Sequence, residues 1–253
     1  MEKKRKNDIK LYSSASEHKN RESLLNLFKN NPVSDDQILG NLGLFLEPKF
    51  LSRILFMDHL YKLSIETQGI IAEFGTHWGQ NSILFSALRG IYEPFNRHRK
   101  ILAFDTFEGF PNIHKKDGTS DLMEKSNLAV PEGYDTFLSK LFKIHESLSP
   151  LDHIDKFRVI KGDASVELKK YLNKNPHTIF SLLYFDFDIY KPTLDCLKLI
   201  KNHIVKGTVI GFDELIDDDS PGETLALKEV FDLKKIELKR FRYASRVSYF
   251  IVG

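Results

Sequence analysis

The sequence predicts an α/β fold built on a mostly parallel sheet, and three observations predict it. Short, nearly continuous apolar runs recur from residue 69 onward, each closes on a polar or glycine turn, and a stretch of helical period follows each. Such runs suit strands buried on both faces, and their alternation with helices is the mark of parallel pairing. A length of 253 residues accommodates this as one large domain, and no internal repeat, low-complexity linker or break in composition divides it.

Residues 1–20 begin "MEKKRK" and stay polar, so they read as a flexible basic tail without the apolar stretch of a secretory signal. Residues 21–67 read as an N-terminal helical cap. In "PKFLSRILFMDHLYKL" the residues Phe50, Leu51, Ile54, Leu55 and Tyr61 fall at helical spacing, with Pro48 where a first turn tolerates it. If its face is exposed, this aromatic-rich helix suits a homodimer contact. Residues 68–253 form the main domain. Its strands are "GIIAEF" (69–74), "KILAFD" (100–105), "FRVIKGD" (157–163), "FSLLYFD" (180–186) and "GTVIGFD" (207–213). Two more runs, "KIELKRF" and "RVSYFIVG", lie so close in sequence that they predict an antiparallel pair. Residues 112–150 open with polar "NIHKKDGTSD" just beyond a strand end and read as a lid-like insertion over a site.

Composition excludes several classes. The hydrophobic and charged fractions, 42% and 28%, are those of a globular protein. A formal charge of +2 lacks the basic face that tracks nucleic-acid phosphates. No apolar span approaches the ~20 residues of a membrane helix. The single cysteine, Cys196, forms no internal disulfide, and the expected compartment is the cytoplasm.

Acidic residues mark the strand ends: Asp105, Asp163, Asp186 and Asp213, with Glu73 just inside the first. In an open parallel sheet those ends share one rim, where ligands bind. The first turn, "EFGTHWGQNS", places Gly75 and Gly79 ahead of a helix, a turn that lets backbone approach a ligand; a plain strand-to-helix turn explains the same pattern. Asp105, ending the next strand, can accept hydrogen bonds from ribose hydroxyls. Because three residues, Thr76, His77 and Trp78, separate the glycines where a dinucleotide fingerprint needs one, an adenosine ligand without a pyrophosphate is preferred to NAD.

The blocks "IAEFGTHWGQNS", "AFDTFEGFP", "YFDFDIYKPTLDCL", "GTVIGFDE" and "PGETLALKEVF", in that order, resemble the macrocin O-methyltransferase family over roughly residues 45–253. These are class I enzymes that transfer a methyl group from S-adenosylmethionine to sugar hydroxyls. The resemblance implies a Rossmann-like, seven-stranded sheet with an antiparallel last strand, a small sugar-containing acceptor, and a magnesium ion. It implies that the methyl donor is held by Glu73, Gly75, Thr76, Gly79, Ser82, Asp105, Thr106, Gly162, Asp163, Ala164 and Asp186. Two departures stand out: Asp213-Glu214 replaces the family's pair of aspartates, and Phe187 is bulkier than the usual residue between Asp186 and Asp188.

With the fourth and fifth strands as neighbours at ~4.8 Å, Asp186, Asp213 and Glu214 are the expected ligands of Mg²⁺. Asp188, two positions on, is the expected base for the acceptor hydroxyl, with His114 of the insertion as the alternative. Three plainer readings stay open. The aspartates could serve only the turn, "DFD" could be the metal–nucleotide motif of a glycosyltransferase, or the chain could be a non-catalytic binding relative.

Overall fold

The structure, a computed structural model, describes residues 14–253. The apolar runs form β1 (Ile70–Phe74), β2 (Ile101–Asp105), β3 (Phe157–Lys161), β4 (Phe180–Phe185) and β5 (Ile204–Phe212). The closing runs form β6 (Lys239–Arg240) and β7 (Ser248–Ile251). All seven join one sheet in the order β3-β2-β1-β4-β5-β7-β6, parallel from β3 to β5. β7 runs antiparallel to both β5 and β6, so the last strand inserts between them. The lysine-rich run that was expected as a full strand keeps only two paired residues, as suits an edge that bonds on one side.

Alternation along β4 fills both faces. Leu183 and Phe185 pack with Leu168 of α5 (Ala164–Lys174), Leu197 of α6 (Tyr190–Ile200) and Leu227 of α7 (Gly222–Val230). Leu182 and Tyr184 pack on the other face with Phe85 of α3 (Gln80–Tyr92) and Leu138 of α4 (Tyr134–Ser147). A ladder of phenylalanines crosses the sheet near its carboxyl edge. Phe104, Phe74, Phe185 and Phe212 stack with ring centroids 5.2, 4.8 and 5.3 Å apart, and the strand register pairs Phe74 with both Phe104 and Phe185. Asp105, Asp186 and Asp213 each directly follow a rung of this ladder and so emerge at one height.

The opposite edge, where strands begin, carries paired charges. Arg99 donates to Glu93 and to the carbonyls of Thr67 and Gly69, and Tyr61 donates to Glu93 at 2.7 Å. Glu146 pairs with Arg89 and, at 2.8 Å, with Lys156. Arg89, Arg99, Glu146 and Lys156 are all buried, so these pairs tie helices to strand entries without water.

Residues to Arg53 and residues Ile54–Gly253 are two compact units. Of the predicted basic tail, residues 1–13 lie outside the described residues. The remainder is helical: α1 (Ala15–Lys29) starts at Ser14, whose side chain and Glu17 cap each other reciprocally. A 3-10 segment, Ile38–Phe45, follows, with Phe28 and Phe45 edge to face at 5.1 Å. In α2 (Pro48–Ser64), Phe56, Met57, Leu60 and Tyr61 are buried, whereas Phe50, Leu51 and Leu55 are exposed. Among the described residues no helix is long and apolar enough to cross a membrane.

Candidate active site

The carboxyl edge of the sheet opens into a cleft, at the edge where open parallel sheets bind their ligands. One wall comes from the strand ends and the turns after them: Gly75, His77, Asp105 and residues 162–165. The β4 turn contributes Asp186, Phe187, Asp188 and Ile189, and α6 adds Lys191, Pro192 and Asp195. The facing wall is Phe110, Pro111, Asn112 and Leu128.

Gly75 adopts φ 87°, and a Cβ there would drive into the carbonyl oxygen of Asp186. Only glycine lets β1 and β4 end this close together. Asp105 accepts the amides of His77 at 2.7 Å and Phe107 at 2.6 Å, one on each oxygen. Burial raises its pKa against the pull of those amides. Each oxygen keeps a further lone pair for a ligand hydroxyl. Asn81 donates to Glu73 at 2.9 Å and reaches Asp186 at 3.5 Å, while Ser82 donates to the other oxygen of Glu73. The buried Thr76 Oγ1 and Asn81 Oδ1 have no partner, so polar capacity stays in reserve beside the cleft.

The structure therefore sorts the expected donor-binding residues. Gly75, Asp105, Thr106, Gly162, Asp163, Ala164 and Asp186 line the cleft. Glu73, Thr76 and Ser82 are buried behind it, and Glu73 and Ser82 are bonded to each other. Gly79 lies at the start of α3, its Cα facing Leu138. Asp163 caps α5 through the amides of Ser165 and Val166, which commits much of its carboxylate to the helix. The cleft-lining Phe110, Asn112, Lys191 and Asp195 were not singled out, although the first two sit in or next to the quoted "FEGFP" block and the last two in the "DIYKPTLDC" stretch.

The expected base candidates also separate. Asp188 lines the cleft; His114 does not. The His114 ring lies tilted against Tyr190 with centroids 5.0 Å apart, and its amide donates to Asp117. Asp188 stands at φ 61°, nearly buried. Burial, then the neighbouring carboxylates Glu223 and Asp213, push its pKa up to about 8. Glu223 is likewise pushed up to about 8 by burial and Asp213, against the amide of Phe187. The predicted lid divides in two: α4 is a regular helix, and the preceding loop is bonded to α6 and α7 through Asp117, Lys116 and Ser120.

The expected magnesium ligands do not converge. Asp186 faces the cleft, Asp213 accepts the Tyr184 hydroxyl at 2.7 Å, and Glu214 is held by Ser220 and Arg246. Among the described residues no group of three metal-binding side chains is placed to share an ion. Glu214 has the Arg246 guanidinium as its counter-ion.

A seven-stranded sheet of this order with a cleft at its carboxyl edge defines the class I methyltransferase fold. The chain is similar to a crystal structure of CalS11, a calicheamicin methyltransferase: 34% identity, TM-score 0.93, covering 96% of this chain and 95% of that one. It is similar to an apo structure of CalS11, there described as a TDP-rhamnose 3'-O-methyltransferase of calicheamicin biosynthesis: 31% identity, TM-score 0.85, covering 96% and 97%. The O-methyltransferase NovP shares the fold at 20% identity and TM-score 0.59, over 79% of each chain. No protein-family model and no curated protein matches the chain. The chain belongs to the sugar O-methyltransferase family that includes CalS11, and it is a methyltransferase.

Proposed function

We propose that the protein transfers a methyl group from S-adenosylmethionine to a hydroxyl of a nucleotide-linked sugar. One observation carries the reading: a single cleft unites the close-approach glycine Gly75, the hydroxyl acceptor Asp105 and the Asp186–Asp188 carboxylates. The likeness to a TDP-rhamnose 3'-O-methyltransferase over nearly the whole chain supports the acceptor class.

The residues present fit the donor, since Gly75 clears space against Asp186 and Asp105 keeps lone pairs for ribose hydroxyls. When bound, S-adenosylmethionine supplies an electrophilic methyl on a sulfonium. Asp105 and the 162–165 turn would hold the adenosine part of the donor, and Asp186 lines the same cleft. Asp188 takes the proton of the acceptor hydroxyl at its carboxylate, and Phe187, packed 5.9 Å from Phe74 and 6.3 Å from Phe185, holds that turn against the ladder. Positioning of the hydroxyl in line with the methyl supplies most of the remaining acceleration. Because Asp186, Asp213 and Glu214 do not fit a shared ion, no step is assigned to magnesium.

Purified protein incubated with labelled S-adenosylmethionine and a panel of nucleotide sugars, TDP-rhamnose first, tests the proposal. Label appearing in a sugar product, and a rise in melting temperature with S-adenosylhomocysteine, are expected. Stabilisation by a UDP- or GDP-sugar with Mn²⁺ but not by S-adenosylhomocysteine would replace this reading with the glycosyltransferase one.

A further inference from the structure

We infer that two buried carboxylates outside the cleft lining, Asp117 and Glu223, are positioning residues that suspend the Asp186–Ile189 turn and fix the spacing between the two cleft walls. The inference rests on the donor cleft proposed above. The turn cannot satisfy its own amides. Asp188 is left-handed at φ 61°, and Tyr190 opens α6, where the first amides have no partner within the helix. Glu223 accepts the Phe187 amide at 2.8 Å, and Asp117 accepts the Tyr190 amide at 2.5 Å through Oδ1. Both acids are fully buried.

Asp117 does a second thing with its other oxygen. Oδ2 accepts the His114 amide at 2.6 Å, so one carboxylate bolts the loop that follows Phe110, Pro111 and Asn112 of the facing wall to the turn that carries Asp186 and Asp188. The junction is tight. A Cβ on Gly222, beside Glu223, would lie 2.5 Å from the Tyr190 nitrogen and 2.6 Å from Asp117 Oδ1. Outside it, Ser120 donates to the Asp219 carbonyl at 2.8 Å, and the Lys116 ammonium donates to the Tyr190 hydroxyl at 2.9 Å and to Glu229 at 3.1 Å. The loop is thus a fixed wall.

The two supports differ in what replacement they tolerate. Asp117 accepts with both oxygens, so Asp117→Asn turns an NH₂ donor against an amide donor. Glu223 accepts with Oε1 while Oε2 has no hydrogen-bond partner, so Glu223→Gln retains the bond that matters and Glu223→Ala removes it.

Amide exchange by NMR, S-adenosylhomocysteine titration and transfer kinetics with TDP-rhamnose test the inference. Asp117→Asn keeps one acceptor, so it is expected to speed exchange of either the Tyr190 or the His114 amide, whichever the new NH₂ faces, about tenfold or more. It should weaken S-adenosylhomocysteine several-fold and lower kcat by about 10- to 100-fold, as misplacement of a site by an ångström does. Glu223→Ala should expose the Phe187 amide in the same way, and Glu223→Gln should restore wild-type exchange and kcat to within about twofold. Unchanged exchange at both Tyr190 and His114 in Asp117→Asn, or failure of Glu223→Gln to rescue, overturns the inference. Should Asp117→Asn not fold, the Glu223 pair decides by itself. Wild-type protein that ignores S-adenosylhomocysteine defeats the donor reading, while the exchange data still judge the two supports.

Discussion

Arg89, Arg99 and Lys156 lie where the strands begin, with Glu93 and Glu146 among them, and each buried charge there meets its opposite. Where the strands end, Asp188, Asp213 and Glu223 lie near one another, held by backbone amides and a tyrosine hydroxyl, while Arg246 is taken up with Glu214 and Asp217. Both edges bury ionisable groups, yet the electrostatic outcomes are opposite. Burial works against the charge of Glu93, but hydrogen bonds from Arg99, Tyr61 and Asn96 win and hold its pKa below the usual value. Asp188 and Glu223 are pushed up to about 8. One edge is arranged to hold the fold together, and at the other the buried carboxylates keep their protons up to about pH 8.

The largest expected effect separates activity from stability. Asp188→Asn suits the left-handed backbone and leaves a neutral group that cannot take up a proton, so transfer should fall by about 10²- to 10⁴-fold while unfolding free energy holds or rises. Single-turnover assays and urea unfolding measure the two; parallel loss of both would erase the contrast. Glu146→Ala should do the reverse. Stripping the anion from two buried cations is expected to cost about 3–5 kcal/mol in unfolding free energy. A loss below about 1 kcal/mol would show that the paired edge does not hold the fold.

Stability should also respond to pH with opposite signs at the two edges. Glu93, depressed below 4.5 in the fold, contributes stability above that value that is lost as pH falls through its folded pKa. Asp188 and Glu223 retain protons near pH 8 that the unfolded chain has already released, so stability should decline as pH rises from about 5 to 8. Glu223→Gln should flatten that alkaline decline and leave the acid limb alone, as followed by melting temperature across pH. The smallest expected effect concerns metal. With Glu214 bound to Arg246, 10 mM Mg²⁺ should shift the melting temperature by less than about 1 °C, and a clear rise would restore an ion to the acidic edge.

How much of this was legible depends on how local each signal is. The strands and their terminal acids could be read because apolar runs and the residues that end them are adjacent in the chain. Seven strands and an antiparallel last strand came with the family resemblance, of which similarity to CalS11 supports the coarser part, a sugar O-methyltransferase. Glu73 and Ser82, expected at the donor, are buried behind the cleft and do not line it, since which side of a turn faces inward is set by packing. Glu223 stood in plain view within the "PGETLALKEVF" block, yet its partner, the Phe187 amide, is 36 residues away. Asp117, in a polar loop, gives no periodic signal at all.

The sequence by itself determined the order of strands and helices, the buried character of the sheet and the row of acids at its carboxyl edge, because period and strand ends are properties of neighbouring residues. The tertiary structure alone decided which acids face the cleft, which face one another, and that Glu214 takes Arg246 as its counter-ion. Those outcomes depend on distances between segments far apart in the chain, and the energy of a charge depends on what surrounds it after folding.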